Sequence, residues 1–165
     1  MFRALILLAA LLLASCLGTG YRGTSAETWV HSDIDRHRDL RYAVLPVDCP
    51  DEVIPSDAYG PWRNKRRLEL TLHLQRELIE RLAARGHTLT QVGLVEAAVG
   101  RGEIEAPRSV RLLDRPARLE LARRIQADAV VETRVLDGSP ERLTVAMRAV
   151  LLDTGELIWS SNRTA

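Results

Sequence analysis

The chain has 165 residues, of which 46% are hydrophobic and 27% charged, with 23 basic against 22 acidic side chains. That length carries one domain with a core of its own, and the charge balance supplies no net positive field to attract the phosphates of a nucleic acid. Only two cysteines are present, Cys16 and Cys49, too few for a disulfide framework.

Arg3 is followed by an unbroken apolar run from Ala4 to Ala14 that ends at Ser15-Cys16. Eleven residues are too few to span a bilayer, which takes roughly 17–25, so residues 1–15 read as a signal peptide. Leu13-Ala14-Ser15-Cys16 resembles the bacterial lipobox, which implies that Cys16 becomes an acylated N-terminus. Each buried chain methylene then contributes about 0.8 kcal/mol to anchoring. Leu17, not Asp, follows the cysteine, so the expected destination is the outer membrane, facing the periplasm. Processing removes Arg3 and leaves 22 basic and 22 acidic residues. With Cys16 acylated, Cys49 has no intrachain disulfide partner.

Residues 16–40 are predicted to be a flexible tether. Their HSDIDRHRD stretch gathers His31, Asp33, Asp35, His37 and Asp39, but without a metal-ligand spacing, so no metal site is expected. Residues 41–161 form the predicted domain. Tyr42 to Val47 reads as a strand buried on both faces, with Pro46 limiting its ladder and Cys49 a small residue at its end. A nucleophilic Cys49 would need a base, and the spacing selects none of His31, His37, His73 and His87. Asp48 to Pro61 is a Pro- and Gly-containing loop whose exit places Tyr59 and Trp62 as candidate partner contacts.

Asn64 to Arg85 is predicted as the main helix, with Leu68, Leu72, Gln75, Leu78, Ile79, Leu82 and Ala83 on the core side and Gly86 as its stop. Arg63, Lys65, Arg66 and Arg67 crowd its start, against the helix dipole. A strand over His87–Val92 and an irregular or briefly helical stretch over Leu94–Arg108 follow. The next helix begins near Pro116 with Asp114 as N-cap, and its core residues are Leu119, Ala122 and Ile125. A strand over Asp128–Val135, a turn at Asp137–Pro140 and a strand over Leu143–Leu151 come next. The chain then turns at Asp153-Thr154-Gly155 into Glu156–Ser160. The expected fold is a single α/β (α+β) domain with a mixed sheet, two main helices and a C-terminal antiparallel hairpin.

YAVLPV, LARRIQADAVVETRVLD and AVLLDTGELIWSS together resemble a set of bacterial envelope lipoproteins. Their domain is shared by the curli-secretion channel lipoprotein, penicillin-binding-protein activator lipoproteins and the amino-terminal domain of the Tol translocation protein. Ala43 to Val47 match the first strand of that family. Ile125 to Asp128 match its Leu-Gly-Ala-Asp step, and Asp153 to Trp159 match its Asp-x-x-Thr-Gly-Glu-Ile-x-Trp hairpin. Gln126 replaces the family glycine, which predicts a different backbone route out of the helix. Many relatives continue into another helix beyond the position of Ala165, so either one layer here stays partly open or the exposed face docks on a partner. The resemblance implies a non-enzymatic, lipid-anchored protein that binds an envelope protein or itself, without cofactor. Two alternatives are an auxiliary lipoprotein of lipid or solute transport, and a cell-wall hydrolase using Asp48, Asp51, Glu52 and Asp57.

Overall fold

The computed structural model describes residues 25–30, 37, 39–50, 53, 60–100, 110–139 and 142–164; of residues 25–27, 60–63, 66 and 138–139 it describes the backbone path alone. The elements in chain order are β1 (Ser25–Val30), β2 (Arg41–Val44), α1 (Gly60–Ala84), β3 (Thr88–Leu89), α2 (Val92–Gly100), α3 (Arg115–Ile125), β4 (Ala129–Ser139), β5 (Arg142–Leu151) and β6 (Leu157–Thr164). The strands form one mixed sheet in the order β1-β6-β5-β4-β2-β3. β2 is parallel to both β3 and β4, and the other pairings are antiparallel. No described helix is long and apolar enough to cross a membrane.

Strand alternation divides the core between the two sheet faces. Ala43, Leu45, Val130, Val150 and Leu152 point to one face, where Val95 and Ala98 of α2 and Leu121 and Ile125 of α3 cover them. Tyr42, Val44, Val131, Ala149 and Ile158 point to the other face, under Leu78, Ile79 and Leu82 of α1. Further along that face, Leu70 and Leu74 meet Val135, Leu143, Val145 and Met147. Ile125, Val130, Val131 and Leu152 are fully enclosed, each contributing about 1.5–3 kcal/mol by leaving water.

The structure corrects several expectations. Ser25–Val30, placed in the tether, is an edge strand in register with β6 from Ser25↔Thr164 to Val30↔Trp159. Thr28 Oγ1 and Ser161 Oγ, 3.2 Å apart, add a side-chain link. Its composition gives no strand signal because one side of an edge strand faces solvent. The domain extends to Thr164 at its other end, since the end of β6 pairs with both β1 and β5. α1 turns Leu70, Leu74, Leu78 and Leu82 toward the sheet, and leaves Leu68 and Leu72 58% and 55% exposed. In α3, Leu121 takes the core position expected of Leu119.

The expected strand over His87–Val92 shrinks to Thr88–Leu89, because Val92 already starts α2, a third helix. The turn expected at Asp137–Pro140 begins later: β4 continues to Ser139 after a register shift between Val135 and Asp137. Pro46 interrupts β2, yet pairing resumes when Asp48 N donates to Thr133 O (2.9 Å) and Val135 N donates to Asp48 O (2.8 Å).

Candidate functional site

The resumption of pairing after Pro46 shapes the site. It turns Val47 and Cys49 into the core, where they pack with Val135, Leu143, Val145 and Met147. Asp48 is left beside β4, with Arg134 Nε 3.3 Å from its Oδ2. α1 crosses this edge, and Asn64, Arg67, Leu68 and Thr71 line the other wall of a groove of about 490 Å³ with Val47, Asp48 and Cys49. The first half of α1 therefore has two roles. Leu70 and Leu74 hold it to the sheet, while Leu68 and Leu72 present apolar surface.

Burial pushes the Asp48 carboxyl above its ordinary range, and the Arg134 guanidinium pulls in the opposite direction. The alternation of the ladder sets Asp48 beside Arg134 and packs Cys49 with Val135, Leu143, Val145 and Met147. Among the described residues, no group of three or more His, Cys, Asp and Glu side chains is arranged to hold a metal ion. Asp51, Glu52 and Asp57 lie outside the described residues, so the hydrolase arrangement meets the structure only at Asp48.

The histidines are far apart in role. His73 is exposed on α1. His87 packs edge-on to Tyr42, with ring centroids 5.4 Å apart, and its pKa is lowered by burial and by Arg85. The His37 carbonyl accepts the Tyr42 hydroxyl at 3.2 Å; burial raises that hydroxyl's pKa to about 12. Cys16, His31 and Tyr59 lie outside the described residues. Trp62 stands on the first turn of α1, and its side chain is not described.

Three charged clusters were not anticipated. Arg118 is buried and donates to the carbonyls of Leu113 (2.6 Å), Leu152 (3.1 Å) and Thr154 (3.1 Å). Glu132, on the α2–α3 face of β4, accepts Arg148 Nε from the neighbouring strand and Val110 N at 2.5 Å. Glu120 accepts from Arg123 and Arg124, which hold its pKa down at about 2. With 22 arginines in the chain, arginine content marks none of them. The one available signal is the Thr-Gly turn at Thr154-Gly155, over which Arg118 lies.

No protein-family model matches the chain, and no curated protein matches it in sequence. Solved structures do match. The crystal structure of lipoprotein GNA1162 from Neisseria meningitidis superposes with a TM-score of 0.55 at 17% identity, over 76% of this chain and 78% of that one. The NMR structure of Escherichia coli LpoB superposes with a TM-score of 0.52 at 20% identity, over 78% of this chain and 57% of that one. At such identities the likeness is one of fold, shared with a lipoprotein, GNA1162, and with LpoB.

Proposed function

We propose that the chain is a non-enzymatic envelope lipoprotein, anchored through acylated Cys16 in the outer membrane and facing the periplasm. It works by binding another envelope protein or by assembling with itself. The observation that carries this reading is one conjunction. A chain opening on a short apolar leader closed by Leu13-Ala14-Ser15-Cys16 folds like lipoprotein GNA1162. The charge arrangement agrees with it: Arg118 and Glu132 are engaged in holding the fold together, Glu120 pairs within its own helix, and a contact surface needs no activated group.

The test is intact-mass analysis of the protein purified from the envelope, compared with Cys16→Ser, followed by crosslinking in the native envelope. Acyl mass on Cys16, its loss with release from the membrane in Cys16→Ser, and a specific envelope partner or a defined oligomer would support the reading. An unmodified chain retaining Met1 would overturn the anchor. A strictly monomeric protein that crosslinks to no envelope component would overturn the contact role. In the same experiment, Trp62→Ala tests the partner contact expected at the start of α1. A lipid co-purifying with the acyl-free domain would favour the transport reading instead.

A further inference from the structure

Chain direction places a distinctive group of residues at one end of the sheet. β1 starts at Ser25, opposite Thr164, which in turn pairs with Thr144. This is the end at which β4 and β5 close on each other, at Ser139↔Arg142. β2 is parallel to β4, so the Asp48 bridge to Arg134 lies toward that end too. α1 begins there and runs back: Leu70 and Leu74 pack on Val135, Leu143 and Val145, whereas Leu82 packs in the cluster of Tyr42 and Ala129. α3 and the Asp153–Gly155 turn belong to the opposite end, where Ala129 pairs with Leu151.

The first turns of α1 are basic and apolar together. From Gly60 to Thr71 there are four basic residues (Arg63, Lys65, Arg66, Arg67) and one acidic residue, Glu69. Glu69 stands 3.9 Å from Lys65 with both side chains mostly exposed, a pairing that contributes little in water. Of the other acids whose side chains are described toward this end, Asp48 faces Arg134 and Asp137 faces Arg142 at 3.8 Å; Asp51, Glu52, Asp57 and Glu141 lie outside the described residues. Beside this charge stand the exposed Leu68 and Leu72. Basic side chains flanking exposed leucines are the chemistry that settles on an anionic bilayer surface.

The position of β1 supplies the occupant. Ser25 lies nine Cα steps beyond Cys16, with eight residues between them, so the two are at most about 30 Å apart. β4 alone, 11 residues, is about 36 Å long at about 3.3 Å per residue. An anchor at Cys16 therefore holds the Ser25 end of the sheet within about 30 Å of the membrane, while α3, at the opposite end, is tied to the anchor only through the length of the sheet. We infer that the start of α1, through Lys65, Arg67, Leu68 and Leu72, is a lipid-facing surface lying on the anionic bilayer to which Cys16 ties the chain. This rests on the anchoring proposed above. It restricts any partner meeting Trp62 to one reachable at the bilayer surface, and it leaves α3 and the β5–β6 turn facing the periplasm.

The test uses the full acylated protein, its mass verified, on vesicles of phosphatidylethanolamine and phosphatidylglycerol containing brominated lipid. A fluorophore is placed at Leu72→Cys or, separately, at Leu119→Cys. Severalfold stronger quenching at position 72, lost when Lys65→Glu and Arg67→Glu are combined while the protein still sediments with the vesicles, is the expected result. Equal quenching at both positions, stronger quenching at 119, or indifference to the charge reversal would overturn the inference and leave the anchor standing. Concentration-dependent self-quenching at position 72 without lipid quenching would assign the surface to a second copy and also overturn it. Protein without acyl mass that stays in solution would sink the anchor, and the inference with it.

Discussion

Arg118 and Gly155 interlock. Gly155 sits at φ +76, and a Cβ on it would lie 2.9 Å from Arg118 Cζ and 3.1 Å from Nη1. The missing side chain lets the guanidinium lie across the β5–β6 turn and reach the carbonyls of Leu152 and Thr154 on one side and Leu113 on the other. One buried arginine thereby ties α3, the segment before it and the closing hairpin into a unit, and it satisfies the buried Leu152 carbonyl. Arg115 and Asp153, 2.7 Å apart at the exposed rim, repeat the connection with little energetic weight.

Gly155→Ala is therefore expected to destabilise the domain by about 1–3 kcal/mol, through the left-handed backbone and the displaced guanidinium together. Arg118→Met leaves the buried Leu152 carbonyl without its donor and is expected to cost a comparable amount, about 1–3 kcal/mol. The two should be strongly non-additive, because no guanidinium remains for the new methyl group to displace. Urea denaturation of the two single variants and the double variant measures this. Additive losses would show that the contact is incidental.

Gln126 offers the opposite experiment. It caps α3 at φ 52, ψ 49, with its N–H returning to Ala122 O, and its carbonyl accepts Thr90 Oγ1 at 2.9 Å. The expected change of backbone route is thus corrected: the chain keeps the left-handed helix exit that glycine favours and carries it with glutamine. A side chain in that conformation costs about 1–2 kcal/mol. Gln126→Gly is expected to stabilise the protein by about 1 kcal/mol, less the glycine's extra freedom in the unfolded chain. A lowered denaturation midpoint would contradict this account of the cap.

His87 sets a pH dependence of definite sign. Burial and the neighbouring Arg85 lower its folded-state pKa below the ordinary 6.5, so the unfolded chain takes up a proton more readily than the folded one. Its contribution is complete above about pH 6.5 and is lost as the pH falls from there toward the lowered folded value, below which it levels off. His87→Gln should flatten that part of the stability profile while leaving the neutral-pH value less affected. Chemical denaturation across mildly acidic pH decides it: an identical slope in both proteins would remove His87 as the cause.

Much of the architecture is legible in the chain because it rests on local rules. Asp114 caps α3, accepting from Ala117 N at 2.8 Å, as an aspartate just before a proline-led helix should. The alternation Leu143, Val145, Met147, Ala149 fixes which face of β5 is buried. The rotation of α1 is not legible in the sequence, because leucines at 68, 70, 72, 74 and 78 satisfy two helical stripes. Which stripe turns inward depends on the sheet beneath, and Val135, Leu143 and Val145 select Leu70 and Leu74. Arg118 escaped notice for a related reason: its acceptors lie 34 and 36 residues away along the chain, beyond any local pattern.

Local order carries the alternation that makes a two-faced sheet and the caps and stops of the helices, since each depends on neighbours a few residues apart. That Ser25–Val30 joins that sheet, that Leu68 and Leu72 stay outside the core, and that the basic start of α1 shares an end with β1 are visible in the folded chain alone. Those outcomes follow from strand register and chain direction, which long-range pairing fixes.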